Sequence, residues 1–284
     1  MGESTTLYSS YDYRLVALSV LIAVAASYAA LELAAHVNTA RNRVRAAWLL
    51  GGAVTMGTGI WSMHYTGMIA YRLPVQVYCH IPTVLLSLLA AIGASFVTLF
   101  VVSRQGMNVL YLAAGSLLMA AGISGMHYIG MDAMRLPAMH HYDTELVIGS
   151  VGIAWLVSLV ALGLIKMNLA LDSPSEAPTG TSSTAPREKS SGLLKIVSSV
   201  TMGIAIPAMH YVAMGAVTYK SMPGAPDLSF SMEMSALGIS AVVIIAVVMV
   251  ASVLLLRLWP SRDHLVVTGE TTNNLAAGAA IHRP

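Results

Sequence analysis

From its N-terminus the chain alternates between long apolar runs and short stretches where Arg, Asp, Pro and Gly collect. A membrane-spanning helix needs about 20 mainly apolar residues. Seven runs meet that length, over approximately 14–35, 46–70, 81–103, 108–131, 146–169, 193–218 and 235–258. The alternating segments of about 10 residues that a membrane barrel requires are absent. The pattern predicts an all-α fold, a polytopic membrane helix bundle of seven transmembrane helices, because bare backbone in lipid must close its own hydrogen bonds. Two stretches break the apolar pattern. Residues 172–192, rich in Ser, Thr, Pro and Gly, read as a flexible cytoplasmic linker, and residues 259–284 as a short disordered tail. Residues 1–258 are thereby predicted to form one membrane domain.

Charge orients this bundle. Arg41, Arg43, Arg45, Arg104, Lys166, Arg187, Lys189, Lys195, Arg257, Arg262 and Arg283 fall on one side, and only Arg14, Arg72, Arg135 and Lys220 on the other. The side richer in Lys and Arg is cytoplasmic. This puts the N-terminus outside and the C-terminus in the cytoplasm. Residues 1–13 lack the basic segment of a cleavable signal, so the first run reads as a retained helix.

Composition agrees with the pattern: 56% of residues are hydrophobic and 10% charged, with a mean hydropathy of +0.72, against a soluble average of roughly 45–50% apolar and 25% charged. The net charge of +2 is scattered and gives no basis for nucleic-acid binding. A single cysteine, Cys79, excludes an intramolecular disulfide and any cysteine-built metal cage within the chain.

A repeat organises the even-numbered helices. Met63-His64-Tyr65-Thr66-Gly67-Met68 returns as Met126-His127-Tyr128-Ile129-Gly130-Met131 and as Met209-His210-Tyr211-Val212-Ala213-Met214. Each copy has a Met eight residues before its His (Met56, Met119, Met202) and an Ile four before (Ile60, Ile123, Ile206). The odd helices carry a weaker echo in Ala26-Ser27-Tyr28-Ala29-Ala30-Leu31, Ala94-Ser95-Phe96-Val97-Thr98-Leu99 and Val157-Ser158-Leu159-Val160-Ala161-Leu162. The unit is therefore a helix pair, repeated three times in one orientation, and a pseudo-threefold axis along the membrane normal is expected. Helix seven stands outside the repeat.

The second, fourth and sixth helices run in the same direction, so His64, His127 and His210 are expected at one depth near the outer face. Ionisable side chains at membrane depth are costly and mark function. Three imidazoles meeting on one axis make a candidate ligand set, and imidazole suits copper, zinc, iron and nickel. Thioethers at hand, with no thiolate or carboxylate, tilt the choice toward copper, especially copper(I). Tyr65, Tyr128 and Tyr211 are candidates either to orient an imidazole by a second hydrogen bond or to sit in the interfacial aromatic belt. His80, His140 and His141 belong to outer loops, and Glu32 lies near the cytoplasmic end of the first helix as a snorkelling or locally paired carboxylate.

At these motifs the chain resembles the MHYT domain family, whose eponymous four letters stand literally at Met63-His64-Tyr65-Thr66. The resemblance implies a bacterial inner-membrane sensor domain with its motifs near the outer face, and a copper site responding to oxygen, carbon monoxide or nitric oxide. Carried over residue by residue, it implies as ligands Met63, His64 and Met68, then Met126, His127 and Met131, then Met209, His210 and Met214. Many relatives continue into a cyclic-di-GMP output module. Here the chain ends soon after helix seven, so the expectation is a signal passed to a separate cytoplasmic protein, with no catalytic output of its own. Two other readings stay open. One is a protein that handles or transports copper. The other is a haem or redox membrane enzyme using two of the histidines as axial ligands.

Overall fold

The computed structural model describes residues 5–40, 42–103, 108–172 and 185–258. Seven helices dominate them: α1 (Tyr13–Thr39), α2 (Asn42–Ala70), α3 (Ile81–Val102), α4 (Val109–Asp132), α5 (Thr144–Asp172), α6 (Ala185–Gly215) and α7 (Met234–Leu258). Short polar side chains start several of them. Asp12 accepts from the Arg14 N–H, Asn108 from Tyr111, and Asp143 from Glu145 and Leu146, each occupying a donor that the first turn leaves unpaired.

Six of the seven helices are long and apolar enough to cross a membrane. The exception is α2, whose apolar run is diluted by glycines and by Thr55, Thr58, Ser62 and His64. All of these but Gly51 are buried, because α2 is packed between α1, α3 and α7 and needs little lipid-facing surface. It nevertheless runs the length of the bundle. At one end Arg45 donates to the Ser103 carbonyl, and at the other the Ala70 carbonyl accepts from Asp12.

Helices α1 to α6 each pack on their sequence neighbours, and α6 closes back onto α1. The predicted threefold repeat of helix pairs is thus a closed ring of six, with α7 outside it against α2. Small residues set how closely the ring is drawn. A Cβ at Gly57 of α2 would lie 2.6 Å from the Ile92 backbone of α3, and one at the equivalent Gly203 of α6 would lie 2.4 Å from Val24 Cα of α1.

Three features depart from the sequence reading. First, α6 begins at Ala185, so residues 185–192 are helical rather than linker. Pro186 falls in its first turn, where no partner is needed for a missing N–H, and Arg187, Glu188 and Lys189 are strong helix formers. Residues 173–184 and the tail 259–284 lie outside the described residues. Second, α6 stops at Gly215, three residues earlier than the expected 218, because Val217 onward pairs as a strand.

Third, strands cap one end of an otherwise helical molecule. They are β1 (Thr6–Leu7), β2 (Ser10–Tyr11), β3 (Tyr71–Arg72), β4 (Tyr78–His80), β5 (Met134–Arg135), β6 (Ala138–Tyr142), β7 (Val217–Ser221) and β8 (Ser231–Glu233). They form three small antiparallel sheets ordered β1-β7-β6, β2-β3 and β5-β4-β8. Every one lies before α1 or in a loop that follows an even helix, so they tie those loops into a lid over a single end of the ring. A sequence signal for it exists in Arg72-Leu73-Pro74 and Arg135-Leu136-Pro137, which stand at the same distance after His64 and His127.

Candidate metal centre

The three motif histidines lie five or six residues before the ends of α2, α4 and α6, about 8 Å below the lid by helix rise. They meet on the axis of the ring. The Nδ1 atoms form a nearly equilateral triangle, with His64 to His210 at 3.1 Å, His127 to His64 at 3.2 Å and His210 to His127 at 3.2 Å. The rings stand nearly perpendicular to one another, with centroids 5.0, 5.0 and 5.1 Å apart. All three are fully buried, at 0%, 1% and 1% exposure.

This triangle cannot be satisfied by hydrogen bonds alone. Each neutral imidazole offers at Nδ1 either one N–H or one lone pair. Among three such atoms at least two are alike, so at least one close contact sets donor against donor or lone pair against lone pair. A cation among three inward lone pairs removes the conflict. The centre of a triangle of this edge lies about 1.8 Å from each corner, close to the ~2.0–2.1 Å of a metal–imidazole bond. Among the described residues this is the group of His, Cys, Asp and Glu side chains placed to hold a metal ion. The donor set fits a metal that accepts neutral nitrogen ligands.

Inward Nδ1 lone pairs put the ring protons on Nε2, and the three Nε2 atoms have no hydrogen-bond partner. Those of His210 and His64 are packed against another even helix instead. A Cβ at Gly67 of α2 would lie 2.5 Å from His210 Nε2, and a Cβ at Gly130 of α4 would lie 2.5 Å from His64 Nε2. The third position of this kind is Ala213, fully buried on α6. At Gly67 and Gly130 the recurrent small residue three after the histidine is therefore the seat of the histidine from another repeat, a role that the linear sequence does not reveal.

The tyrosines stand beside the imidazoles but do not hydrogen-bond to them. Each packs edge-on to the histidine before it, at 4.8, 4.9 and 4.8 Å between centroids. Tyr211 Oη shares a 2.8 Å hydrogen bond with Ser19 of α1, and Tyr128 Oη one of 2.8 Å with Ser150 of α5. Tyr65 is fully buried, and its hydroxyl lies beside Ser87 of α3, the counterpart of Ser19 and Ser150, but outside hydrogen-bond geometry. Two of the hydroxyls expected to orient an imidazole or face the interface thus join even helices to odd ones. The serines were missed in the sequence, although Ser19, Ser87 and Ser150 each bond the carbonyl of a valine three residues earlier, in Val-x-x-Ser segments of α1, α3 and α5.

The nitrogen triangle is formed by imidazoles alone. Met63, Met126, Met209, Met68, Met131 and Met214 are all buried at 2% exposure or less in the same core cluster. His80 bonds Thr83 at the start of α3 and His140 packs on Tyr142, so the loop histidines stay in the lid. Glu32 pairs with Lys195 near the opposite end, as a locally satisfied carboxylate.

Aromatic contacts join the lid to the tyrosines beside the triad. Tyr11 packs on Tyr71 and Tyr211, Tyr71 on Tyr219, and Tyr142 on Tyr128. Tyr219 is 1% exposed and donates to Met134 Sδ. Burial pushes the Tyr142 hydroxyl up to about 12 and those of Tyr11 and Tyr219 higher still.

Comparison with known proteins places this arrangement among membrane signalling proteins. The profile of the MHYT family, described as a bacterial signalling protein N-terminal repeat, matches residues 3–47, 57–115, 121–173 and 203–268. The chain is 37% identical over 213 residues to the bifunctional diguanylate cyclase/cyclic di-GMP phosphodiesterase MucR of Pseudomonas aeruginosa, covering 75% of this chain and 29% of that protein. It is 36% identical over 213 residues to the signaling protein YkoW of Bacillus subtilis, covering 75% and 25%. It is 31% identical over 230 residues to the cyclic di-GMP phosphodiesterase NbdA of P. aeruginosa, covering 81% and 27%. The chain thus aligns with little more than a quarter of these relatives. No solved structure matches it.

Proposed function

Because the chain belongs to the MHYT family of membrane signalling proteins, we propose that it senses through a single copper ion held by His64, His127 and His210. The observation that carries this reading is the Nδ1 triangle, whose three contacts cannot all be hydrogen bonds. Charge favours the monovalent ion. The three ligands are neutral, and burying an uncompensated divalent cation costs far more than burying a monovalent one. Copper(I) bound by three imidazoles supplies a coordination position for a diatomic ligand such as oxygen, carbon monoxide or nitric oxide.

The protein's part is to hold the three rings and to convert their displacement into helix movement. His210 and His64 press on the backbone of other helices at Gly67 and Gly130, so a shift of either ring bears directly on the packing of α2 and α4. The three imidazoles touch one another through the Nδ1 triangle, and a change at one member reaches the others. A ligand drives such a change only as far as it favours one packing over the other. The reading places the protein in a bacterial inner membrane with the lid outside. Arg43, Arg45, Lys166, Lys195 and Arg257 all lie toward the helix ends away from the lid, the side that would face the cytoplasm. A cytoplasmic signalling partner would receive the movement there.

Metal analysis of the purified protein together with its optical spectrum tests the proposal. One copper per chain is expected, lost in the variant carrying His64→Ala, His127→Ala and His210→Ala. A protein without stoichiometric metal, or a Soret band in place of copper, would overturn it.

A further inference from the structure

Below the histidine layer a second threefold set converges. Met56, Met119 and Met202 each stand eight residues before the histidine of their repeat, about 12 Å along the helix. All three line one cavity of ≈ 30 Å³. Ser95 and Ser158 line it from the odd helices. Together with Ser27 they open the repeated segments Ser-x-x-Ala-Leu, Ser-x-x-Thr-Leu and Ser-x-x-Ala-Leu, and the last two residues of all three segments also line the cavity. The cavity therefore sits on the same pseudo-threefold axis as the imidazoles. The hydroxyls of Ser27, Ser95 and Ser158 are buried and have no hydrogen-bond partner.

We infer that this cavity is a second metal site, for a soft monovalent cation, with the thioethers of Met56, Met119 and Met202 as its ligands. No imidazole, thiolate or carboxylate lines it, which disfavours zinc, magnesium and calcium, while thioether sulfur selects copper(I) among biological ions. A space of this size takes a bare ion or about one water, not a hydrated ion. Thr98 Oγ1 donates to Met119 Sδ at 3.4 Å, which turns that thioether and leaves it a second lone pair. Ile123 and Ile206, four residues from their histidines, also line the cavity and stand along the helices between the two layers, so the two sites are distinct.

Silver(I), redox-silent and equally soft, is the probe, and the full chain in detergent is the sample. Bound silver per chain is counted by mass spectrometry after gel filtration. Met56→Leu, Met119→Leu and Met202→Leu together keep side-chain volume and are expected to lower the count by one. The ion held by the histidines is retained in that variant. An unchanged silver count would overturn the site. If the triple variant does not fold, X-ray absorption of the silver-loaded wild type decides. A silver population with only sulfur neighbours supports the site, and silver surrounded by nitrogen and oxygen alone overturns it. Failure of the histidine reading appears separately, as copper that survives replacement of all three histidines.

Discussion

His64 Nδ1 stands 3.1 Å from His210 Nδ1, across 146 positions of sequence. His127 Nδ1 is 3.2 Å from both. Without a cation, one edge of this triangle is repulsive in a fully buried site, so the metal-free protein carries local strain that a metal relieves. Copper(I) at 100 times its dissociation constant is expected to add about 2.7 kcal/mol of stability, a rise in Tm of roughly 5–10 °C. His210→Ala should abolish that rise. Thermal unfolding in detergent, with copper(I) and with a chelator, measures it, and equal midpoints in the two conditions would count against a metal at the triad.

The seats of the rings make a sharper case. Gly67→Ala and Gly130→Ala each put a methyl 2.5 Å from an Nε2 atom of a buried imidazole. Overpacking of this kind costs about 1–3 kcal/mol, and here it also displaces a ligand, so both stability and metal content should fall. Gly125→Ala is the control, since nothing lies within 4 Å of its Cβ position. A Gly67→Ala protein that kept full metal content would mean that the imidazole can move without consequence.

Much of this was legible before any coordinates. Seven apolar runs, the three motifs and the echo in the odd helices define the ring of pairs, because helix length and the 3.6-residue period are local properties. What the sequence could not supply were the relations between repeats. That Nδ1 rather than Nε2 faces the axis depends on rotamers set by Gly67 and Gly130 on other helices. The lid escaped because its strands are two to five residues long and exist only through pairing between distant loops, such as Tyr78 with Arg135 and Glu233. The start of α6 was misjudged because composition alone weighed Ser and Thr over the helix-forming Arg187-Glu188-Lys189.

The three motif tyrosines should respond differently to loss of the hydroxyl. Tyr211→Phe and Tyr128→Phe each remove a hydrogen bond to a serine of an odd helix, expected to cost about 1 kcal/mol. Tyr65→Phe removes a buried hydroxyl that lies beside Ser87 outside hydrogen-bond geometry, so it is expected to cost less than either. Unfolding midpoints of the three variants check the order. A Tyr65→Phe loss equal to the other two would show that this hydroxyl is paired in solution.

Cys79 offers a test of the lid. It lies in β4, is 0% exposed and donates to Met234 Sδ at 3.8 Å. Burial pushes its thiol up to about 12, against a partial opposing pull from Arg135. The thiolate that maleimide requires is therefore nearly absent at pH 8. Labelling should be negligible in the native protein and rapid once the lid is unfolded in detergent denaturant. The same shift carries a sign for stability. The unfolded thiol ionises near 9.0 while the folded one keeps its proton, so the contribution is complete below pH 9 and declines as pH rises from 9 toward 12. Cys79→Ala should flatten that decline in the midpoint-versus-pH curve. Fast labelling of the native protein at pH 8 would mean that the strands over the triad open readily, and that the aromatic layer does not seal the site from water.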